Sequence, residues 1–226
     1  MQRRQARSPW EEAYRTQGRL WRGVRLDDLT HRVMAARPAL RNAAWLDAGC
    51  GDGKGLVPLS AALAPEAPAP IGADAARWAL VRTREAFHAA GRRRPPFVRA
   101  DARSWPFADA VFGALRAVYL FGHLPGSDRG RAFDEAFRVL APAGVLLVSE
   151  FGAGDFRAGT GTETEPGTFR RGVGIETHYF SSPELSQLAA AAGFVVEHAE
   201  PVRYAVGYGG VERPRERIDL VARRPA

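Results

Sequence analysis

Behind the apolar run that ends in Asp47, glycines fall at 49, 51 and 53, in the order Asp47-Ala48-Gly49-Cys50-Gly51-Asp52-Gly53. Without Cβ atoms the backbone can turn sharply there and bring its amides close to a ligand. Glycine loops serve several nucleotide binders, so spacing decides between them. A dinucleotide fingerprint places its third glycine three residues after the second. Counted from Gly49 and Gly51 that position is Lys54, and from Gly51 and Gly53 it is Leu56, so an NAD-type oxidoreductase is disfavoured both ways. Two more acids, Asp74 and Asp101, close short apolar runs of their own. Ionised carboxylates only accept hydrogen bonds, which suits the hydroxyls of a diol and an exocyclic amine. Either acid alone would serve equally well as a helix cap.

For proton transfer the chain offers Tyr119 and His123 after its fourth apolar run, Glu150 within the fifth, and His178 and Tyr179 further on. His123 and His178 rank first as general bases, because imidazole titrates closest to neutral pH. Each could equally be a structural histidine. Cys50 has no activating neighbour in sequence, so a nucleophilic role is not expected. No metal-ligand spacing is visible, and no metal is expected.

The elements that must position these residues alternate. Ala43 to Ala48 reads as a buried strand, and Leu56 to Leu63 as a helix that tolerates Pro58 in its first turn. Ala69 to Asp74 is a second strand, and Ala76, Leu80, Thr83 and Phe87 then recur at helical spacing. Phe97 to Asp101 and Val111 to Leu120 follow as strands. Phe133, Ala136, Phe137 and Leu140 mark a helix closed by Pro142 and Gly144, and Val145 to Phe151 is a fifth strand. A helix near Pro183 to Ala192 has Ser182 as its cap and Gly193 as its stop. Phe194 to Val202 and Arg217 to Ala222, with a short loop between them, supply a final hairpin. The pattern predicts an α/β, mostly parallel sheet with an antiparallel final pair. Residues 8–42, polar and helical with Trp10, Tyr14 and Trp21 as anchors, and the Gly-, Thr- and Arg-rich residues 152–180 stand outside the alternation. Both are expected over a ligand at the carboxyl ends of the strands.

Leu46 to Gly53 resembles the first motif of class I S-adenosylmethionine-dependent methyltransferases, and later motifs follow in order. Phe137 to Gly144 resembles the family's approach to its fifth strand, although the common Lys-Pro-Gly-Gly stands here as Ala-Pro-Ala-Gly. The resemblance spans residues 43 to 202 and implies a Rossmann-like, doubly wound sheet of seven strands with helices on both faces. It implies one methyltransferase domain over residues 1–226, with 8–42 as an N-terminal helical extension and 152–180 as a variable segment on the substrate side. It also implies S-adenosyl-L-methionine as cofactor, held by Asp47, Gly49, Cys50, Gly51, Gly53 and Val118. Asp74 would take the ribose hydroxyls, Asp101 the adenine amino group, and the Ala102 amide the ring.

In-line displacement at a sulfonium needs an aligned acceptor in a dry pocket, and a base only for weakly acidic acceptors. His123, His178 and Tyr119 are the candidates. No Asn-Pro-Pro-Tyr or Asp-Pro-Pro-Tyr follows the fourth strand, which disfavours DNA amino-methylation and glutamine methylation of that type. A small-molecule acceptor is expected. An RNA such as tRNA stands as an alternative, because the formal charge is +7 and Arg92, Arg93, Arg94, Arg170 and Arg171 could grip phosphates. Coding bias is the favoured account of the arginines, since Lys54 is the only lysine. A partner or regulatory subunit that binds cofactor without turnover is the third reading. One cysteine, no apolar run long enough to span a bilayer and no secretory leader behind the basic residues 1–7 point to the cytoplasm.

Overall fold

The computed structural model describes residues 8–18, 20 and 23–226. Trp21 and the basic residues 1–7 lie outside the described residues. Helices α1 (Pro9–Gln17) and α2 (Asp28–Ala36) precede strand β1 (Trp45–Ala48). Then come α3 (Leu56–Ala62), β2 (Ile71–Asp74), α4 (Arg77–Ala89), β3 (Phe97–Arg99), β4 (Phe112–Val118), α5 (Gly126–Val139) and β5 (Leu140–Phe151). A small sheet follows, made of β6 (Thr162–Glu165), β7 (Thr168–Arg171) and β8 (Ile175–His178). Helix α6 (Ser182–Ala191) and strands β9 (Val195–Tyr208) and β10 (Val211–Arg223) complete the chain.

Seven strands form the main sheet in the order β3-β2-β1-β4-β5-β10-β9. The first five pair in parallel, and β10 runs antiparallel to both β5 and β9. The chain winds outward from β1 to β3, then crosses back to β4 on the other side of β1. That reversal opens a crevice at the carboxyl ends of β1 and β4. Adjacent residues such as Trp45 and Leu46, or Leu146 and Leu147, face opposite sides and are all buried, because helices cover both faces of the sheet. Leu46, Leu115, Phe133 and Phe180 belong to the core beneath α5 and α6, and Trp45, Leu56, Leu59 and Phe87 to the one beneath α2, α3 and α4.

Four local expectations need correction. The final hairpin runs over Val195–Tyr208 and Val211–Arg223, far longer than residues 194–202 and 217–222, and turns at Gly209-Gly210. Both of those glycines have positive φ, 59° and 76°, as a two-residue hairpin turn requires. Residues 152–180, to which the sequence pattern assigned no elements, hold the three-stranded β6–β8 sheet. Ser181, one residue earlier than expected, caps α6 by accepting from the Glu184 amide. Helix α5 starts at Gly126, well before Phe133, and the Arg224 guanidinium donates to the carbonyls of Phe137, Arg138 and Leu140 at its end.

Phe133 and Phe121 stack at 4.2 Å in the core behind the segment that follows β4. Phe133→Ala is expected to cost about 3–5 kcal/mol of stability, read by urea denaturation.

Candidate functional site

A cavity of about 590 Å³ opens at the β1/β4 crevice and runs from the glycine loop to the segment after β4. The loop is tied down on its far side, where the Gly49 and Cys50 amides donate to the Ala73 carbonyl on β2 at 2.8 and 3.0 Å. Gly51 has φ of 56°, and a Cβ there would lie 2.6 Å from the Tyr14 hydroxyl of α1. Gly53, at φ 81°, does different work: a Cβ there would press on the Thr83 backbone at 3.2 Å, so it lets α4 pack against the loop. Gly53 does not line the cavity, whereas Gly49, Cys50, Gly51, Ala102 and Val118 do.

Asp74 lies at the mouth of β2. Its Oδ2 accepts from the Gly51 amide at 2.9 Å and its Oδ1 from the Ala76 amide at 2.8 Å. A carboxylate has about four lone-pair sites, so each oxygen keeps acceptor capacity for a cis-diol. Burial raises the Asp74 carboxyl to about 6, against the opposing pull of the two amides. Asp101 also lines the cavity, and Arg103 grips both of its oxygens, with Nε on Oδ1 at 2.9 Å and Nη2 on Oδ2 at 2.6 Å. The Arg103 bonds hold that carboxyl below its usual range. Asp47 stands elsewhere. It is buried beneath the loop, outside the cavity lining, and pairs with Arg116 of β4. Arg116 reaches Asp27, the cap of α2, at 2.7 Å as well. Burial works against the Arg116 guanidinium, but the two carboxylates outweigh it and raise its pKa.

At the other end the cavity meets Tyr119, Leu120 and His123. Tyr119 has φ of 55°, and its ring stacks on Phe151 at 4.1 Å. Burial, reinforced by a hydrogen bond with Tyr204, raises its phenol and keeps it protonated. His123 Nδ1 lies 2.7 Å from the Glu176 carbonyl oxygen of β8. A carbonyl only accepts, so Nδ1 carries the proton and Nε2 the lone pair. Burial pushes this imidazole down to about 4, and the charges of Arg157 and Arg171 add to the shift. The Trp10 ring of α1 meets its edge at 4.6 Å. His178 is buried and does not line the cavity; both of its ring nitrogens are bonded, to Thr168 and Glu184. Glu150 stays beneath the turn, its Oε1 accepting from the Leu120 and Phe121 amides at 2.8 and 2.6 Å.

Of the two covering segments, 8–42 supplies Trp10, Tyr14, Arg25, Asp27 and Asp28 to the lining, while 152–180 supplies none. The wall expected from the latter comes from the hairpin instead, through Val202, Tyr204 and Arg217. Arg116, Asp27, Tyr204 and Arg217 were not among the sequence candidates. Arg116 carried a signal: a charge inside the apolar run Gly113-Ala114-Leu115-Arg116-Ala117-Val118 demands a partner. Cys50 is buried, and burial with the nearby Asp74 and Asp47 charges lifts its thiol well above the usual range, which disfavours a nucleophilic role.

Residues 18–199 match the family of methyltransferase domains. The chain belongs to the class I S-adenosylmethionine-dependent methyltransferases. It is 31% identical over 189 residues to a Mycolicibacterium smegmatis protein named as an S-adenosylmethionine-dependent methyltransferase, covering 81% of this chain and 63% of that one. It is 38% identical over 81 residues to the demethylmenaquinone methyltransferase of Thermus thermophilus, covering 36% of each. The chain therefore spans less than two thirds of the length of these relatives. The fold superposes on the crystal structure of a methyltransferase from Methanosarcina mazei with a TM-score of 0.68 at 21% identity, covering 89% of this chain and 99% of that one. The cofactor of this methyltransferase domain is S-adenosyl-L-methionine. No helix among the described residues is long and apolar enough to cross a membrane.

The residues present fit that cofactor, since Asp74 keeps free lone pairs beside a glycine cradle and Asp101 stands at the next strand end. An ionised carboxylate at Asp74 would accept from both hydroxyls of a ribose, and a protonated one would not. With its carboxyl near 6, cofactor affinity should fall about tenfold between pH 7 and pH 5, as the ionised fraction drops to about one tenth. Glu150, near 8, and His123, near 4, titrate outside that window. Calorimetric titration of Asp74→Asn should show weaker binding that is flat with pH; a flat wild-type profile would sink the assignment.

Proposed function

We propose that the chain transfers a methyl group to a small-molecule acceptor bearing an acidic hydroxyl, of phenol or enol type, with His123 as the general base. The single observation that carries this reading is the continuity of the cavity, which joins the glycine loop and Asp74 to His123 and an aromatic wall of Trp10, Tyr119 and Tyr204. In the acceptor half, His123 Nε2 would take the hydroxyl proton and leave the oxygen as the nucleophile. Bound adenosylmethionine would supply an electrophilic methyl carbon and a thioether leaving group that keeps the electron pair of the broken bond. A base held near 4 is weak, which favours acidic hydroxyls over aliphatic alcohols. The protonated Tyr119 hydroxyl can orient the acceptor but not accept its proton. We also propose that residues 8–42 and 152–180 belong to one domain with the main sheet, the former roofing the cavity and the latter supporting His123 from behind.

Charge favours a small acceptor over a polyanion. Asp27, Asp28, Asp52, Asp74 and Asp101 line the cavity against Arg25, Lys54, Arg116 and Arg217, which leaves no excess of positive charge for phosphates. Arg92, Arg93 and Arg94 precede β3 at the amino end of the sheet, opposite the mouth, and Arg170 is paired with Glu176. The Thermus thermophilus relative, whose name specifies a quinone acceptor, supports a ring-bearing acceptor here as well.

The test is methyl transfer, followed by mass spectrometry, to a panel of phenols, quinols and enols with a tRNA pool alongside. Methylated phenolic or enolic products are expected, and His123→Ala should lower kcat by about 10²–10⁴ without changing cofactor affinity. Transfer to tRNA alone, or an unchanged kcat in His123→Ala, would overturn the reading.

A further inference from the structure

His178, the other histidine ranked as a base, sits in a chain of hydrogen bonds that runs from α6 to α5. Its Nε2 lies 2.8 Å from Glu184 Oε1, and a carboxylate only accepts, so Nε2 carries a proton. Its Nδ1 lies 2.9 Å from Thr168 Oγ1. Thr168 Oγ1 accepts from Arg129 Nη2 at 3.0 Å, and arginine only donates. In the neutral ring, with Nε2 carrying the proton, Nδ1 holds the lone pair, so the threonine hydroxyl donates to it while its oxygen accepts from Arg129. Thr168, His178 and Arg129 are 1%, 4% and 5% exposed, so an unmade bond among them would leave a buried polar group unsatisfied. The chain crosses four elements: Glu184 from α6, His178 from β8, Thr168 from β7 and Arg129 from α5.

Strand β8 lies directly against the turn that carries His123. The His178 carbonyl oxygen stands 3.0 Å from where a Cβ on Gly122 would be, so the strand packs against the turn with no room for a side chain between them. Two residues earlier on the same strand, the Glu176 carbonyl takes His123 Nδ1 at 2.7 Å. Any slip of β8 relative to α5 moves that carbonyl away from the imidazole.

We propose that Glu184, His178, Thr168 and Arg129 form a positioning network that holds β8 against the 121–123 turn, so that the Glu176 carbonyl locks His123 as its Nδ1–H tautomer and reserves Nε2 for the acceptor. His178 then acts through His123 and touches neither cofactor nor acceptor. The catalytic consequence rests on His123 being the general base; the tautomer does not.

Long-range proton–nitrogen NMR of the full chain reads the tautomer directly, with the His123 signals assigned by His123→Gln. Wild type is expected to show His123 protonated at Nδ1. Thr168→Val keeps the shape and removes the hydroxyl, and should give an Nε2–H or mixed His123. It should also lower kcat about ten- to a hundredfold with cofactor affinity unchanged, and Thr168→Ser should restore both. If Thr168→Val does not fold, Glu184→Ala at the partly exposed end of the network gives the same reading without touching the core. A folded Thr168→Val or Glu184→Ala that keeps His123 fully Nδ1–H would overturn the network. Loss of its tautomer lock together with an active His123→Ala would uphold the network and sink the general base instead.

Discussion

Arg116 carries a permanent charge in a strand that is otherwise apolar and covered on both faces, and the placement of several other segments follows from neutralising it. An isolated buried cation costs far more than a domain of this size can spare. Asp47 from the neighbouring strand and Asp27 from the start of α2 both bond to its guanidinium. Asp27 also accepts from the amide and hydroxyl of Thr30, so the residue that caps α2 is the one that docks the helix beside the site. Gly55, the fourth glycine in the alternating run, has no Cβ because the Arg116 guanidinium occupies that space. One ion-pair cluster thus joins β1, β4, α2 and the end of the glycine loop. It also accounts for Asp47 outside the cavity lining: its charge is directed at the scaffold beneath the cofactor site.

The two ends of the cavity are built by different means. At the cofactor end, backbone amides and strand-end carboxylates do the holding, and their geometry is set by the sheet itself. At the acceptor end a turn after β4 carries Tyr119 and His123, and it is held from below by Glu150, whose carboxyl burial lifts to about 8 while two backbone amides bind it. The β6–β8 sheet supports the same turn from the side. Helix α1 touches both ends, with Tyr14 over Gly51 and Trp10 against His123, so a single element borders the glycine loop and the imidazole.

The glycine-loop end of the cavity was partly legible in the sequence because its determinants are local, although Asp47 and Gly53 stand outside the lining. Asp74 and Asp101 each follow a short apolar run, and a strand end is where such a residue must appear. The choice between His123 and His178 was not legible, since the groups that decide it, Glu176 for one and Thr168 and Glu184 for the other, reach them through tertiary contacts. The β6–β8 sheet was missed because its Thr-, Glu- and Arg-rich strands lack apolar alternation. The long hairpin was readable in principle: Val202, Tyr204, Val206 and Tyr208 alternate toward Gly209-Gly210, a strong turn signal.

Paired urea denaturation and cofactor titration of Arg116→Met bear most directly on the buried cation. With the guanidinium gone, Asp47 remains buried without a counter-charge and Asp27 at the start of α2 loses its ion pair. Stability should fall by about 3–5 kcal/mol, and cofactor affinity should fall with it as the loop loosens. A variant as stable as the wild type, with cofactor binding unchanged, would contradict the role assigned to Arg116.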